Sequence, residues 1–201
     1  MDISLLQGQH QLIIRQNFRL IVNQYVVHLV NPDGTHGAVV AYAQQKRGKL
    51  KEEVILYTDD TKQYELARFK ARQVIDMHAQ HDVTAFDGTP LGMFSKNFRK
   101  SLLRSTWHLE RPGVERATGQ ERSLFGAILR RVWGFIPYVG AYLPAPTYHF
   151  DFAGDDTKTP IMHVERQMKL RDQYMVTFPD PTLDRRLGLC VAVAMDAIQN
   201  R

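Results

Sequence analysis

Only one of the 201 residues is a cysteine, Cys190. No disulfide can form within the chain and no cysteine-rich zinc site can be assembled, which fits a reducing, cytoplasmic setting. Long apolar runs are also missing. The C-terminal stretch LGLCVAVAM, Leu187 to Met195, would extend only about 13 Å as a helix, against a hydrocarbon core of about 30 Å. The start, MDISLLQGQH, lacks the basic n-region and apolar h-region of a secretory signal. No block of like charge is long enough to make a disordered tail. Among catalytic signatures there is no GxSxG, no P-loop, no GxGxxG and no HExxH, so no enzyme activity, catalytic residue, cofactor or metal site is expected.

What is present is a basic chain of ordinary globular composition, 44% apolar and 23% charged, with a net charge of +5. Its length suits a single domain, 1–201, that buries about 70% of the unfolded surface. The positive balance favours anionic partners, phospholipid or nucleic acid.

Most of the chain reads as short strands. Leu12 to Val30 is rich in β-branched and bulky residues, Asn31-Pro32-Asp33-Gly34 signals a turn, and Gly37 to Gln44 returns as a hairpin partner. His81 to Phe94 repeats the plan: apolar strand, Asp87-Gly88, then an apolar strand with a Gly. Val54 to Thr58, the alternating Leu103 to Leu109, Tyr148 to Phe152, Ile161 to Leu170 and Tyr174 to Phe178 continue it. Between Ser123 and Pro146 the apolar residues fall instead at helical spacing, so a helical insertion is expected there.

The tail has no polar stripe from Leu187 to Met195, and a helix apolar on every side must be enclosed. Asp180 suits the N-cap and Pro181 the first helical position, giving a helix over 181–199. Cys190 within it is expected to be inert. About ten to twelve short strands and one enclosed helix predict a mainly β fold, a closed antiparallel barrel around its C-terminal helix.

The hairpin His81 to Phe94, the strand through Trp107 and the terminal apolar helix together resemble the tubby C-terminal-like superfamily, in its LURP-one-related and phospholipid scramblase-like branch. The resemblance implies a barrel of about twelve strands threaded by its last helix. It also implies a non-catalytic module that meets phospholipid or phosphoinositide headgroups through exterior Lys and Arg, peripherally at a membrane.

Several residues are candidates for such work. Arg68, Lys70 and Arg72 share one face of a strand, and Lys46, Arg47, Lys49 and Lys51 form a basic loop; Arg gives bidentate phosphate contacts and Lys a point charge. Trp133 and Phe135, with Arg130 and Arg131, suit a membrane interface, a protein partner or a homodimer contact. Lys96, Arg99, Lys100 and Arg104 interleave with Phe94 and Phe98, but no nucleic-acid-binding motif accompanies them and nucleic acid is not expected. The acidic DFAGDD, Asp151 to Asp156, lacks the EF-hand pattern. His78 and His81 read as exposed loop histidines. His149 and Asp151 share a strand face as the one acid/base pairing worth testing.

Overall fold

A computed structural model describes residues 3–18, 22–46, 53–71, 78–97, 105–122, 149–167 and 173–199. It contains twelve strands: β1 (Gln11–Phe18), β2 (Val22–Val30), β3 (His36–Lys46), β4 (Val54–Tyr57), β5 (Glu65–Ala71), β6 (His78–Ala85), β7 (Pro90–Asn97), β8 (Thr106–Arg111), β9 (Val114–Glu121), β10 (His149–Gly154), β11 (Pro160–Gln167) and β12 (Gln173–Thr177). Each pairs antiparallel with its neighbours in sequence, and β12 returns to β1 from Gln11↔Thr177 to Arg15↔Gln173. The sheet is therefore a closed barrel. A short helix α1 (Ile3–Gln7) precedes it and a longer one, α2 (Arg185–Gln199), ends the described chain.

Side-chain alternation decides what faces in. On β10, Phe150 and Phe152 are fully buried while His149 and Asp151 are half-buried on the outside; on β8, Trp107 and Leu109 point inward around His108. These inward residues need a partner, and α2 supplies it. From Leu187 to Met195 every non-glycine residue is no more than 2% exposed, so the run is enclosed on all sides as expected. Two glycines set how closely helix and wall approach. A Cβ on Gly188 would stand 2.4 Å from Phe178 Cε1, and one on Gly92, whose φ is 151°, would stand 2.9 Å from Leu187 Cδ2 of the helix and 2.4 Å from the Glu110 carbonyl oxygen of the next strand.

The helix is fixed at both ends. Its cap is Asp184, whose carboxylate accepts the Arg186 N–H at 2.9 Å and Gln7 Nε2 at 2.8 Å. The expected start at Pro181, capped by Asp180, is thus displaced by four residues. Asp180 instead closes a turn of its own, accepting the Thr182 N–H at 2.8 Å and Arg111 Nη1 at 2.7 Å. Helix α1, which the sequence did not signal, lies at this end with Leu6 1% exposed; Gln7 Oε1 accepts the Arg185 N–H at 3.0 Å. At the other end Asp196, 1% exposed, accepts Tyr25 Oη at 2.8 Å and also Tyr174 Oη.

Because every strand reverses the one before it, the connections alternate between two ends. The end where α2 enters carries connections 31–35, 58–64, 86–89, 112–113, 155–159 and 178–184. Four of these are closed by an Asp-x-Thr turn, in which the Asp carboxylate accepts the Thr backbone N–H: Asp33 to Thr35 and Asp59 to Thr61 at 2.9 Å, Asp87 to Thr89 at 3.0 Å, and Asp180 to Thr182. Gly34 and Gly88 sit in the left-handed region at φ 77° and 84°, which explains the Asp-Gly step repeated in two hairpins. The strand ends at the opposite, far end border residues 19–21, 47–53, 72–77, 98–105, 122–148 and 168–172.

Candidate functional site

The expected basic face begins on β5. Ala67 and Phe69 are buried inside, while Arg68 is half-buried and Lys70 exposed on the outer wall. Arg68 is not a bare cation. Its Nη1 donates to Glu53 Oε1 at 3.0 Å, its Nε to Glu65 Oε1 at 2.6 Å and its Nη2 to Glu65 Oε2. Hydrogen bonds from Glu65 and then Glu53 push the guanidinium pKa above its ordinary value. Lys70 faces Asp82 across the β5–β6 ladder. Lys46 ends β3, but its side chain and all of Arg47, Lys49, Lys51, Arg72, Arg99, Lys100, Arg104, Arg130, Arg131, Trp133 and Phe135 lie outside the described residues, as does the expected 123–146 insertion.

Connectivity still places the ends that these residues join. The six connections at the far end hold thirteen Lys and Arg against four Asp and Glu, a net charge of +9. The six at the entry end hold two Lys against eight Asp, a net charge of −6. The basic loop, Arg72 and the 123–146 segment all fall, in sequence, between strand ends of this one end.

Between β3 and β4 the wall is split. Their ladder has only the pairs Tyr42↔Tyr57 and Ala43↔Leu56. Beyond it β3 stays paired to β2 as far as Val22↔Lys46, and β4 to β5 through Ile55↔Arg68 and Val54↔Phe69. The two strands diverge around a cleft of about 340 Å³ lined by Gln44, Gln45, Glu53, Val54, Ile55, Tyr57 and Lys62. Lys62, a non-glycine residue at φ 60°, reaches over the Tyr42 ring, 5.8 Å from its centroid, and donates to Gln44 Oε1 at 2.6 Å. No motif in the sequence marks these residues; they meet because β4 is four residues long and pairs with β3 over only two.

On the opposite wall His149 and Asp151 share a face but do not pair. Asp151 accepts both Arg122 Nε and Nη2 at 2.8 Å and hydrogen-bonds His163 Nδ1 at 2.7 Å, whereas His149 Nδ1 lies 3.8 Å from Glu165. Directly opposed residues on neighbouring strands lie about 5 Å apart, closer than residues two apart on one strand at about 7 Å, so the cross-strand partners win. The Arg122 hydrogen bond, against some burial, holds the Asp151 carboxyl below its ordinary pKa. Among the described residues no group of three His, Cys, Asp or Glu is placed to hold a metal ion. His81 is no loop residue: it lies in β6, 4% exposed, with its ring stacked 4.8 Å from that of Phe94. The His78 side chain is outside the described residues. Burial pushes the Cys190 thiol up, in line with an inert cysteine. No described helix is long and apolar enough to cross a membrane.

No family model matches the chain, and no curated protein matches it. Among solved structures it is similar to a porin-like protein from Bacteroides uniformis at 10% identity and a TM-score of 0.24, over 84% of this chain and 96% of that one.

Proposed function

We propose that the protein is a non-catalytic barrel, of the tubby-like type it resembles, that docks peripherally by its far end on an anionic surface, such as phospholipid or phosphoinositide headgroups. The observation that carries the reading is the sorting of charge by connectivity, +9 at the far end against −6 at the entry end. Each Lys or Arg close to an acidic bilayer contributes about 1 kcal/mol, so a handful of those at the far end would suffice for docking. Trp133 and Phe135 lie in the sequence between connecting strands of the same end, where aromatic side chains favour a headgroup layer. Arg68, tied to two glutamates, contributes less than the other cations of the expected basic face, Lys46, Arg47, Lys49, Lys70 and Arg72.

Flotation with acidic and neutral vesicles tests this. Binding to acidic vesicles alone is expected, weakening as salt rises and lost in a variant with Arg47, Lys49, Arg130 and Arg131 all changed to Glu. A Lys62→Glu, Lys158→Glu variant at the entry end should bind like the parent. Equal binding to neutral vesicles, or indifference to the far-end reversal, would refute the reading. The runner-up role for the 123–146 segment, a dimer contact, is told apart by light scattering in the absence of vesicles.

A further inference from the structure

Three connections at the entry end, 31–35, 58–64 and 86–89, follow one another around the barrel and differ from the other three. In the other three, Asp155, Asp180 and Asp184 are each held in an ion pair at 2.7 Å, with Arg116, Arg111 and Arg186. Asp33, Asp59, Asp60 and Asp87 form no ion pair among the described residues. Asp33, Asp59 and Asp87 receive hydrogen bonds from Thr groups, which are neutral and leave the charge uncancelled. Lys62, in the second of these connections, turns aside to Gln44 at 2.6 Å. Arg186, whose charge reaches Asp87, is itself bonded to Asp184.

The same stretch of rim holds two aromatic rings in water. Tyr64, 66% exposed, directly precedes β5, and Phe86, 64% exposed, directly follows β6; the two strands are paired, and toward this rim their ladder ends at Ala67↔Ala85. Neither ring meets a cation or another ring among the described residues. Turn geometry does not call for the phenyl ring. The Asn31 N–H donates to Thr35 O and the Gly34 N–H to Asn31 O, and the Ala85 and Gly88 N–H groups do the same to Thr89 O and Ala85 O. Pro32 thus holds in one turn the place that Phe86 holds in the other, and proline there serves the turn without exposing an aromatic. Exposed rings beside uncancelled carboxylates form a complementary set, since a guanidinium lies flat on a ring and forks onto a carboxylate better than an ammonium does. This end already holds an arginine against a ring: the Arg185 guanidinium is 4.6 Å from the Phe178 ring centroid and donates to the carbonyl oxygens of Gln9 and Leu183. We infer that this half of the entry rim docks an arginine-rich segment of a partner protein, with guanidinium groups on the Phe86 and Tyr64 rings and paired to Asp59, Asp60 and Asp87.

Titration of the full chain into a fluorescein-labelled peptide of four Arg-Gly repeats, followed by anisotropy, tests the inference. Saturable binding is expected, with the Lys-Gly counterpart at least about threefold weaker and a Glu-Gly peptide showing none. A Phe86→Ser, Tyr64→Ser variant keeps every charge and should bind about tenfold more weakly, the worth of two exposed cation–π contacts. An Asp60→Asn, Asp87→Asn variant should also weaken binding. Both pairs change exposed positions, and unchanged thermal melting near neutrality shows that they fold. No saturable binding, equal binding of the Lys-Gly peptide, or full affinity in the Phe86→Ser, Tyr64→Ser variant would overturn the assignment. So would light scattering without peptide that shows a mass rising with protein concentration and restored to the monomer in that variant, since a second copy would then be the occupant. Vesicle flotation of the Phe86→Ser, Tyr64→Ser variant should match the parent, so failure here and failure of the headgroup reading are separate results.

Discussion

The two ends of this barrel are joined by the same twelve strands and solve different problems. At the entry end four connections use the same Asp-x-Thr turn, and the end carries net negative charge. The far-end connections contain no Asp-x-Thr, are richer in cations, and include the longest connection, 122–148. An eight-residue strand such as β1, tilted as barrel strands are, separates the ends by about 20 Å, more than two Debye lengths at physiological salt. The ends therefore act as independent surfaces. An up-and-down barrel can keep its closing turns on one side and leave the other side free to carry recognition.

That separation depends on the helix between the ends staying dry. Val191, 0% exposed and midway along the apolar run, is beyond the reach of both the entry-end cap and the Asp196 cluster. Val191→Asp buries a charge with no counter-ion and should cost more than about 4 kcal/mol, which abolishes soluble folded protein. Soluble fraction and thermal melting check it. Cooperative melting of a soluble Val191→Asp variant would mean that the lumen is wet and that the ends communicate through it.

The fold was legible because its signals are local and redundant. β-branched alternation marks the strands, Asp-Gly steps mark two hairpins, and an all-round apolar run admits only an enclosed helix. The site was less legible because it depends on what lies across the sheet. Arg68 reads as a free cation until β4 brings Glu53 beside it, fifteen residues away in sequence. Asp151 pairs with His163 rather than His149 because the β10–β11 register places them opposite. The helix start was misplaced since Asp-Pro-Thr is a good cap signal and an equally good turn signal, and Arg111, sixty-nine residues distant, helps Asp180 close the turn. The β3–β4 cleft follows from an early end to one ladder, for which residue types give no sign.

The next predictions set one end of the helix against the other. Tyr174→Phe removes a hydroxyl donor from the buried Asp196 carboxylate and should cost about 2 kcal/mol, typical for a hydrogen bond to a charged group. Asp184→Ala removes the cap at the entry end, where water can replace part of what is lost, and should cost about 1 kcal/mol. Urea unfolding of both variants gives the order. If Asp184→Ala is the more damaging, the helix is anchored mainly by its cap and the Asp196 cluster is secondary.

The smallest effect is the sharpest test of the turn chemistry. The Thr35 and Thr61 hydroxyls, then their backbone N–H groups, hold the Asp33 and Asp59 carboxyls below the ordinary range, and the Thr89 backbone N–H does the same for Asp87. A carboxyl whose folded-state pKa is depressed adds stability that is fully present above its unfolded value of about 3.9 and is lost as pH falls through the folded value. Stability should therefore hold steady above about pH 5 and fall in acid, and the entry end should lose protection first in hydrogen exchange, since its turns carry these carboxylates. Asp87→Asn keeps an acceptor for the Thr89 N–H but cannot titrate, so it should melt almost like the parent near neutrality and lose less stability on acidification. Urea melts at stepped pH measure both slopes. Identical slopes would show that the Asp87 turn is already open in the folded protein and that the order at the entry end comes from α1 and Asp184 instead.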